Sequence, residues 1–226
     1  AMTVAADEDD SGITDYEVAG NVLTMLLAGE DTTANTLAWM IHLMHRNPET
    51  LQRAQAEVRR HAPDAAGFTL EQLAQLRYVD ACTHEAMRLK PVAPFQVVEA
   101  LRDTVVADVR IPQGTAVWCV MRSDGVSADY FDQPDTFDPE RWLSDASADT
   151  DAKHAKRVSM PFGAGPRICP GRYLALLEIK MALAMLLAHF DIADVTTPDG
   201  GEAKEHLAFT MMPVGLKMQL SEHVRR

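Results

Sequence analysis

Phe162-Gly163-Ala164-Gly165-Pro166-Arg167-Ile168-Cys169-Pro170-Gly171 runs directly into Arg172-Tyr173-Leu174-Ala175-Leu176-Leu177-Glu178-Ile179-Lys180. The first part reads as a glycine-rich turn. The second reads as a helix, with Leu176, Ile179, Leu183 and Leu186 at helical spacing. Pro170 suits the first helical position, where no backbone N–H is needed. This places Cys169 at or just before a helix N-terminus, where free N–H groups favour a negatively charged sulfur. Gly163, Gly165 and Gly171 strip side chains from both sides of that sulfur, so a flat, bulky group can approach the backbone. The plainer alternative is an inert, buried cysteine in a tight turn.

The rest of the composition is that of an ordinary globular protein. The chain has 226 residues, 47% of them hydrophobic and 24% charged, enough for one sizeable core or two small ones. A formal net charge of −12 argues against a nucleic-acid partner. The three cysteines, Cys82, Cys119 and Cys169, form no C-x-x-C pair. Neither a disulfide framework nor a structural zinc site is indicated. Cys82 and Cys119 lie among apolar residues and are expected in the core. This cysteine usage fits a reducing cytoplasm. No secretory signal is legible, and the apolar run from Val22 to Ala28 is too short to span a membrane.

Read in order, the chain opens with an acidic arm, residues 1–12, carrying Asp7, Glu8, Asp9 and Asp10. Thr14 and Glu17 form a capping box. A helix is expected from there to about Arg46, stopped by Asn47-Pro48. Its middle, Val22 to Leu27, is apolar nearly all round and is expected to be central and buried. Within it sit Ala28-Gly29-Glu30-Asp31-Thr32-Thr33, whose polar groups need either a purpose or a bond to a preceding carbonyl. Pro48 opens a second helix on an Asn47 cap, and Ala62-Pro63 ends it. Thr69 and Gln72 start a short helix, and another runs from about Arg77 to Leu89. Phe95 to Val98 and Thr115 to Val120 read as strands, with a turn at Arg110 to Gly114 before the second. Residues 123–160 are irregular and include an acidic loop from Ser144 to Asp151. Phe190 to Ile192 and Leu216 to Leu220 read as closing strands. The fold class is mainly α with small β-sheets (α+β).

The cysteine segment matches F-x-x-G-x-R-x-C-x-G, with Phe162, Gly165, Arg167, Cys169 and Gly171 in place. It resembles the haem-binding loop of the cytochrome P-450 family, the haem-thiolate monooxygenases. The resemblance implies haem b as cofactor and Cys169 as the thiolate ligand of its iron. It implies that Phe162 packs near the ligand and that Arg167 reaches a propionate. Ala28-Gly29-x-Asp31-Thr32-Thr33 resembles the oxygen-activating stretch of the family's long central helix. That likeness implies room over the haem at Ala28 and Gly29, and a proton relay through Asp31 and Thr32 in a dry pocket. Glu85 and Arg88, one helical turn apart, read on their own as a surface ion pair. Together with Phe137-Asp138-Pro139-Glu140-Arg141-Trp142 they resemble the family's Glu-Arg-Arg triad. Its role is structural: two arginines share one carboxylate and brace the cysteine loop. In the family, residues near Val92 to Phe95 line the substrate pocket. One departure is Val98, where many members carry a basic residue for a propionate.

The resemblance covers residues 13–226 but only about the second half of the family's length, so the N-terminal half is expected to be absent. The implied function is the haem-ligating, C-terminal portion of a monooxygenase. It would act on a small apolar organic substrate and take electrons from a ferredoxin or reductase near Arg172 and Lys180. The alternative is a truncated, catalytically inert fragment that binds haem weakly or not at all. Surface exposed by truncation would then favour self-association or pairing with another chain.

Overall fold

A computed structural model describes residues 12, 14–63, 67–143 and 155–223. The expected acidic arm, apart from Gly12, and the acidic loop from Ser144 to Asp151 lie outside these residues. Helix α1 spans Asp15–Arg46 without a break, about 48 Å at the α-helical rise. It starts on the capping box read from the sequence. The Thr14 hydroxyl accepts from the Glu17 N–H at 3.3 Å, and the Glu17 carboxylate accepts from the Thr14 N–H at 2.8 Å. At the other end Asn47 turns its side-chain amide back onto the Leu43 carbonyl, 2.8 Å away. It therefore does not cap α2 (Pro48–His61), as the sequence suggested; Pro48 alone opens that helix.

Helix α3 (Leu70–Ala74) begins on the Thr69–Gln72 box. Helix α4 (Arg77–Leu89) has no capping side chain of its own. Glu57 of α2 supplies one, accepting from the N–H groups of Tyr78 and Val79 at 2.8 and 3.0 Å. Four two-stranded antiparallel ribbons follow, together with two short helices, α5 (Met121–Gly125) and α6 (Ala155–Ser159). β1 (Phe95–Glu99) pairs with β4 (Ala116–Val120), Val97 opposite Trp118. β2 (Thr104–Val106) and β3 (Val109–Ile111) form a hairpin that the sequence reading missed. Its turn holds Ala107 at φ 54, so Arg110 and Ile111 belong to a strand and the expected turn begins at Pro112. Helix α7 (Arg172–His189) leads into β5 (Phe190–Thr196), which pairs with β8 (Lys217–Glu222). β6 (Glu205–Leu207) and β7 (Met211–Pro213) make the last ribbon.

The core lies where the C-terminal half of α1 meets α2, α4 and α7. Met40, Met44, Val58, Val79, Cys82, Leu183 and Leu187 are fully buried there. Polar groups lock its rim. Arg59 of α2 donates to the carbonyls of Leu187 and Phe190 at the end of α7 and to Asp191 at 2.6 Å. The first half of α1 does not share this burial: Leu23, Leu26 and Leu27 are 58%, 66% and 60% exposed. The expectation of a buried Val22–Leu27 is corrected, because an apolar stretch is buried only where other elements pack on it. Cys119 is likewise exposed, on β4, whereas Cys82 is in the core. Among the described residues no helix is long and apolar enough to cross a membrane.

A second anchor joins the end of α4 to the last ribbon. Glu205 accepts from Lys90 at 2.7 Å and from both terminal nitrogens of Arg122, one of them at 2.7 Å. The Arg122 and Lys90 cations, partly shielded from water, hold the Glu205 carboxyl down to about 2. Its folded value lies below its unfolded value, so the cluster stabilises fully above about pH 4.5. That contribution is lost as pH falls from there toward 2. Urea midpoints of the wild type should fall more steeply across this window than those of Glu205→Gln, and parallel slopes would contradict the assignment.

Candidate functional site

Three groups of residues were singled out by the sequence: the cysteine loop, the polar step in α1, and the Glu85 cluster. The loop folds on itself. The Gly163 N–H donates to the Met160 carbonyl at 2.9 Å, Ile168 to Gly165 at 3.1 Å, and Cys169 to Phe162 at 2.9 Å. Gly163 and Gly165 stand at φ +70 and +66, where a side chain is strained. The tie to Phe162 holds Cys169 in the turn, just ahead of α7 as expected. Gly171 caps α7, which begins at Arg172, so Pro170 is not the first helical residue.

The loop presents an unoxidised, half-buried thiol. A Cβ on Gly171 would lie 3.9 Å from the Cys169 sulfur, and a Cβ on Gly165 would meet no heavy atom within 4 Å. Phe162 is half-buried beside them. Arg167 is exposed and has no hydrogen-bond or ionic partner among the described residues. A thiol donor, glycine-lined open space and an unpaired guanidinium fit a planar, metal-bearing, acidic group such as haem. Val98 adds no charge; it lies on β1 and is 37% exposed. A cleft of about 660 Å³ opens beside the loop, lined by His84, Trp142, Met160, Phe162 and Arg172 among others. Cys169 is not part of its wall.

On α1, Ala28 and Gly29 face open surroundings, and no heavy atom stands within 4 Å of where a Gly29 Cβ would be. Asp31 is exposed and Thr32 half-buried, so the dry surroundings expected for this pair are not present among the described residues. The Thr32 hydroxyl donates to the Ala28 carbonyl at 2.7 Å, as Thr36 does to Thr32. These bonds let the helix carry its hydroxyls without a break. Thr33 belongs to the same stretch but was given no role, yet its hydroxyl is buried without a partner among the described residues. No hydrogen bond among the described residues joins this step to the cysteine loop. The two are related through the packing of α1 on α7, the helix that the loop opens into.

The Glu85 cluster is the tightest of the three. Glu85 is fully buried, which excludes a surface ion pair. Arg88 donates to both its oxygens, at 2.7 and 2.8 Å, and Arg141 donates at 3.3 Å. The Asp138 N–H and the Trp142 indole N–H complete the set, at 3.0 and 2.9 Å. The remaining Arg88 N–H groups go to the carbonyls of Gly125, Pro134 and Thr136. Trp142 and Asp138 were missed as partners, although a tryptophan beside a buried acid is a signal, since a buried indole N–H seeks an acceptor. Lys180, expected near an electron-donor surface, is instead committed to Asp80 at 2.6 Å and to the Leu73 carbonyl.

Comparison with known proteins gives a consistent picture. The profile of the family described as Cytochrome P450 matches residues 1–220. A "Cytochrome P450 monooxygenase ABA2" of Pyricularia oryzae (strain Y34) is 37% identical over 202 residues, covering 87% of this chain and 48% of the relative. A mitochondrial "1,25-dihydroxyvitamin D(3) 24-hydroxylase" of Mus musculus is 34% identical over 176 residues, covering 78% and 33%. The crystal structure of a cytochrome P450 (CYP102L1) superposes with a TM-score of 0.86 at 29% identity, covering 99% of this chain and 50% of that one. The cytochrome P450DA heme domain gives a TM-score of 0.83 at 29% identity, covering 96% and 47%. The chain thus spans half or less of the length of these relatives.

Proposed function

The chain belongs to the cytochrome P450 family, and from that premise we propose that residues 13–226 are the haem-ligating portion of a monooxygenase. The complete activity inserts one atom of dioxygen into a C–H bond of a small apolar organic substrate; the other atom leaves as water. The observation that carries this reading is the Cys169 loop: a free thiol, open space at Gly165, and Arg167 without a partner. Cys169 holds the iron of haem b. Phe162 and Gly171 flank the sulfur, and Gly165 keeps the approach clear. Arg167 pairs with a cofactor carboxylate. Ala28 and Gly29 leave room on the α1 side. When bound, the haem supplies oxygen activation and electron uptake from a ferredoxin or reductase.

The protein's own part in that chemistry is to hold and move protons. The Thr32 hydroxyl donates its proton in a hydrogen bond to the Ala28 carbonyl, which leaves the hydroxyl's own lone pairs available as acceptors. A proton arriving from the Asp31 side is accepted there, and rotation of the hydroxyl passes the original one on. The Glu85–Arg88–Arg141 cluster takes no part in proton transfer; it holds residues 125–142 in shape.

The exposed Leu23, Leu26 and Leu27 favour a second reading. A chain that leaves these side chains uncovered self-associates or pairs with another chain, and as an inert fragment it holds haem weakly or not at all. Haem titration of the purified protein, then reduction under carbon monoxide, separates the two. The strongly red-shifted Soret band of a thiolate-ligated carbonyl complex is expected. No haem uptake, or a band typical of histidine ligation, would reject the first reading. Sedimentation would then report the self-association that the second requires.

A further inference from the structure

The cleft of about 660 Å³ beside the cysteine loop carries chemistry that the haem reading leaves unused. Neither Cys169 nor Arg167 lines it, so the expected iron ligand and the guanidinium assigned to a cofactor carboxylate both lie outside its wall. Its cations are Arg157 of α6 and Arg172 at the start of α7. Among the described residues no aspartate or glutamate lines it, although the chain holds 33 acidic residues against 21 basic ones. Arg157 is exposed and has no hydrogen-bond or ionic partner among the described residues. Arg172 has only neutral acceptors there, the Tyr173 hydroxyl at 3.0 Å and the Cys169 carbonyl at 3.5 Å. Ser159 also lines the cleft. It is 6% exposed, and its hydroxyl is buried without a partner among the described residues. A hydroxyl in that state is costly until something completes it. Much of the remaining wall is apolar and held in place. The Trp142 indole N–H is fixed on Glu85 at 2.9 Å, and its ring lies 5.2 Å from that of His84. Phe162 is tied through its carbonyl to the Cys169 N–H. Met160 stands at φ 35, a left-handed conformation kept by the Gly163 N–H on its carbonyl.

We propose that this cleft is a binding site, separate from the haem site, for a small organic anion with a flat apolar body, an aryl carboxylate or aryl sulfonate. The flat body lies against Trp142 and Phe162, in keeping with ligand pockets of this size, whose walls are mostly apolar. The anionic head takes charge-assisted hydrogen bonds from Arg157 and Arg172. The Ser159 hydroxyl donates to the same head and so gains the partner it lacks. A neutral ligand of the same shape would leave both guanidiniums unmatched. Two cations and one hydroxyl suit a single acidic group, and a chain of net charge −12 repels a polyanion such as a nucleic acid.

The test titrates the haem-free 226-residue chain with 2-naphthalenesulfonate and with its neutral counterpart 2-naphthylmethanol, followed by amide and indole NMR shifts. Saturable shifts of the Trp142 indole and Gly163 amide signals are expected with the sulfonate, and roughly tenfold weaker binding of the alcohol. Arg157→Gln and Arg172→Gln should each weaken the sulfonate roughly tenfold, and Ser159→Ala about threefold. Raising salt from about 0.05 to about 0.5 M should weaken it in the wild type, a check that depends on no variant. Cys169→Ala and Arg167→Gln should leave the affinity unchanged. The absence of a saturable Trp142 shift overturns the proposal, as does equal affinity for the two probes. Shifts centred on the exposed Leu23, Leu26 and Leu27 would mean unspecific apolar binding and also reject it. An Arg167→Gln effect as large as that of Arg172→Gln would make the cleft part of the haem site, and a separate site would then be excluded. No haem enters the titration, so its failure leaves the thiolate reading standing, and failure of that reading leaves the titration standing.

Discussion

Glu85→Ala will cost about 3–5 kcal/mol of stability, the range for removing one partner of a buried ion pair. Glu85 and Arg88 both lie out of contact with water, and both Glu85 oxygens face Arg88. The variant leaves a guanidinium that cannot lose its charge at any accessible pH. Three other donors lose their acceptor with it: the Arg141 guanidinium, the Trp142 indole and the Asp138 amide. Loss of the carboxylate therefore acts on residues 125–142 as a whole, because Arg88 also carries the carbonyls of Gly125, Pro134 and Thr136. Urea unfolding followed by far-UV circular dichroism gives the number. A loss below about 1 kcal/mol, the scale of an exposed pair, would show that the cluster is hydrated in solution.

Cys169→Ala will remove the thiolate signature of the haem-loaded protein entirely and shift the unfolding free energy of the haem-free chain by no more than about 0.5 kcal/mol. The two effects separate because the sulfur carries no structural bond. What holds the loop is backbone: the Cys169 N–H on the Phe162 carbonyl survives any substitution except proline. Cys82→Ala and Cys119→Ala serve as controls. Cys82 is enclosed in the core, and burial pushes its thiol well above the usual range, so it is unsuited to bind a metal. Cys119 lies exposed on β4, outside the glycine loop. A thiolate spectrum that persists in Cys169→Ala, or that disappears in Cys119→Ala, would move the ligand elsewhere.

Much of the helical frame is legible because its signals are local. Thr14 with Glu17, and Thr69 with Gln72, each act across three residues, and both boxes form. The strands at Phe95–Val98 and Thr115–Val120 were legible from their apolar residues and a turn before the second; that they pair is seen only in the structure. What escapes a window of that size is whatever depends on a distant neighbour. Val22 to Leu27 read as buried, but no local pattern says what covers a helix, and among the described residues little packs over that stretch. Asn47 had two helices to serve and bonded the earlier one. The β2–β3 hairpin was invisible because its turn uses Ala107 at positive φ, where glycine or asparagine would have been the sign. Glu205 gave no warning, since its partners are 83 and 115 residues away. In the candidate site the residue types of the cysteine loop were readable. That Thr32 spends its proton on Ala28 was only one of two open readings.

The way Arg88 holds residues 125–142 bears on how that segment can diverge. Its three grips there are main-chain oxygens, and a carbonyl is the same acceptor whatever side chain hangs beside it. Sequence drift along the segment is therefore cheap at most positions, so long as the path of the backbone survives. The constraint is concentrated on the opposite side, in a single guanidinium whose flat, five-donor fork no other residue reproduces. An irregular coil that looks like the least specified part of the chain is in this sense moulded by one residue of a neighbouring helix. Its shape rests on Arg88 together with a few of its own side chains, Phe131, Phe137, Arg141 and Trp142.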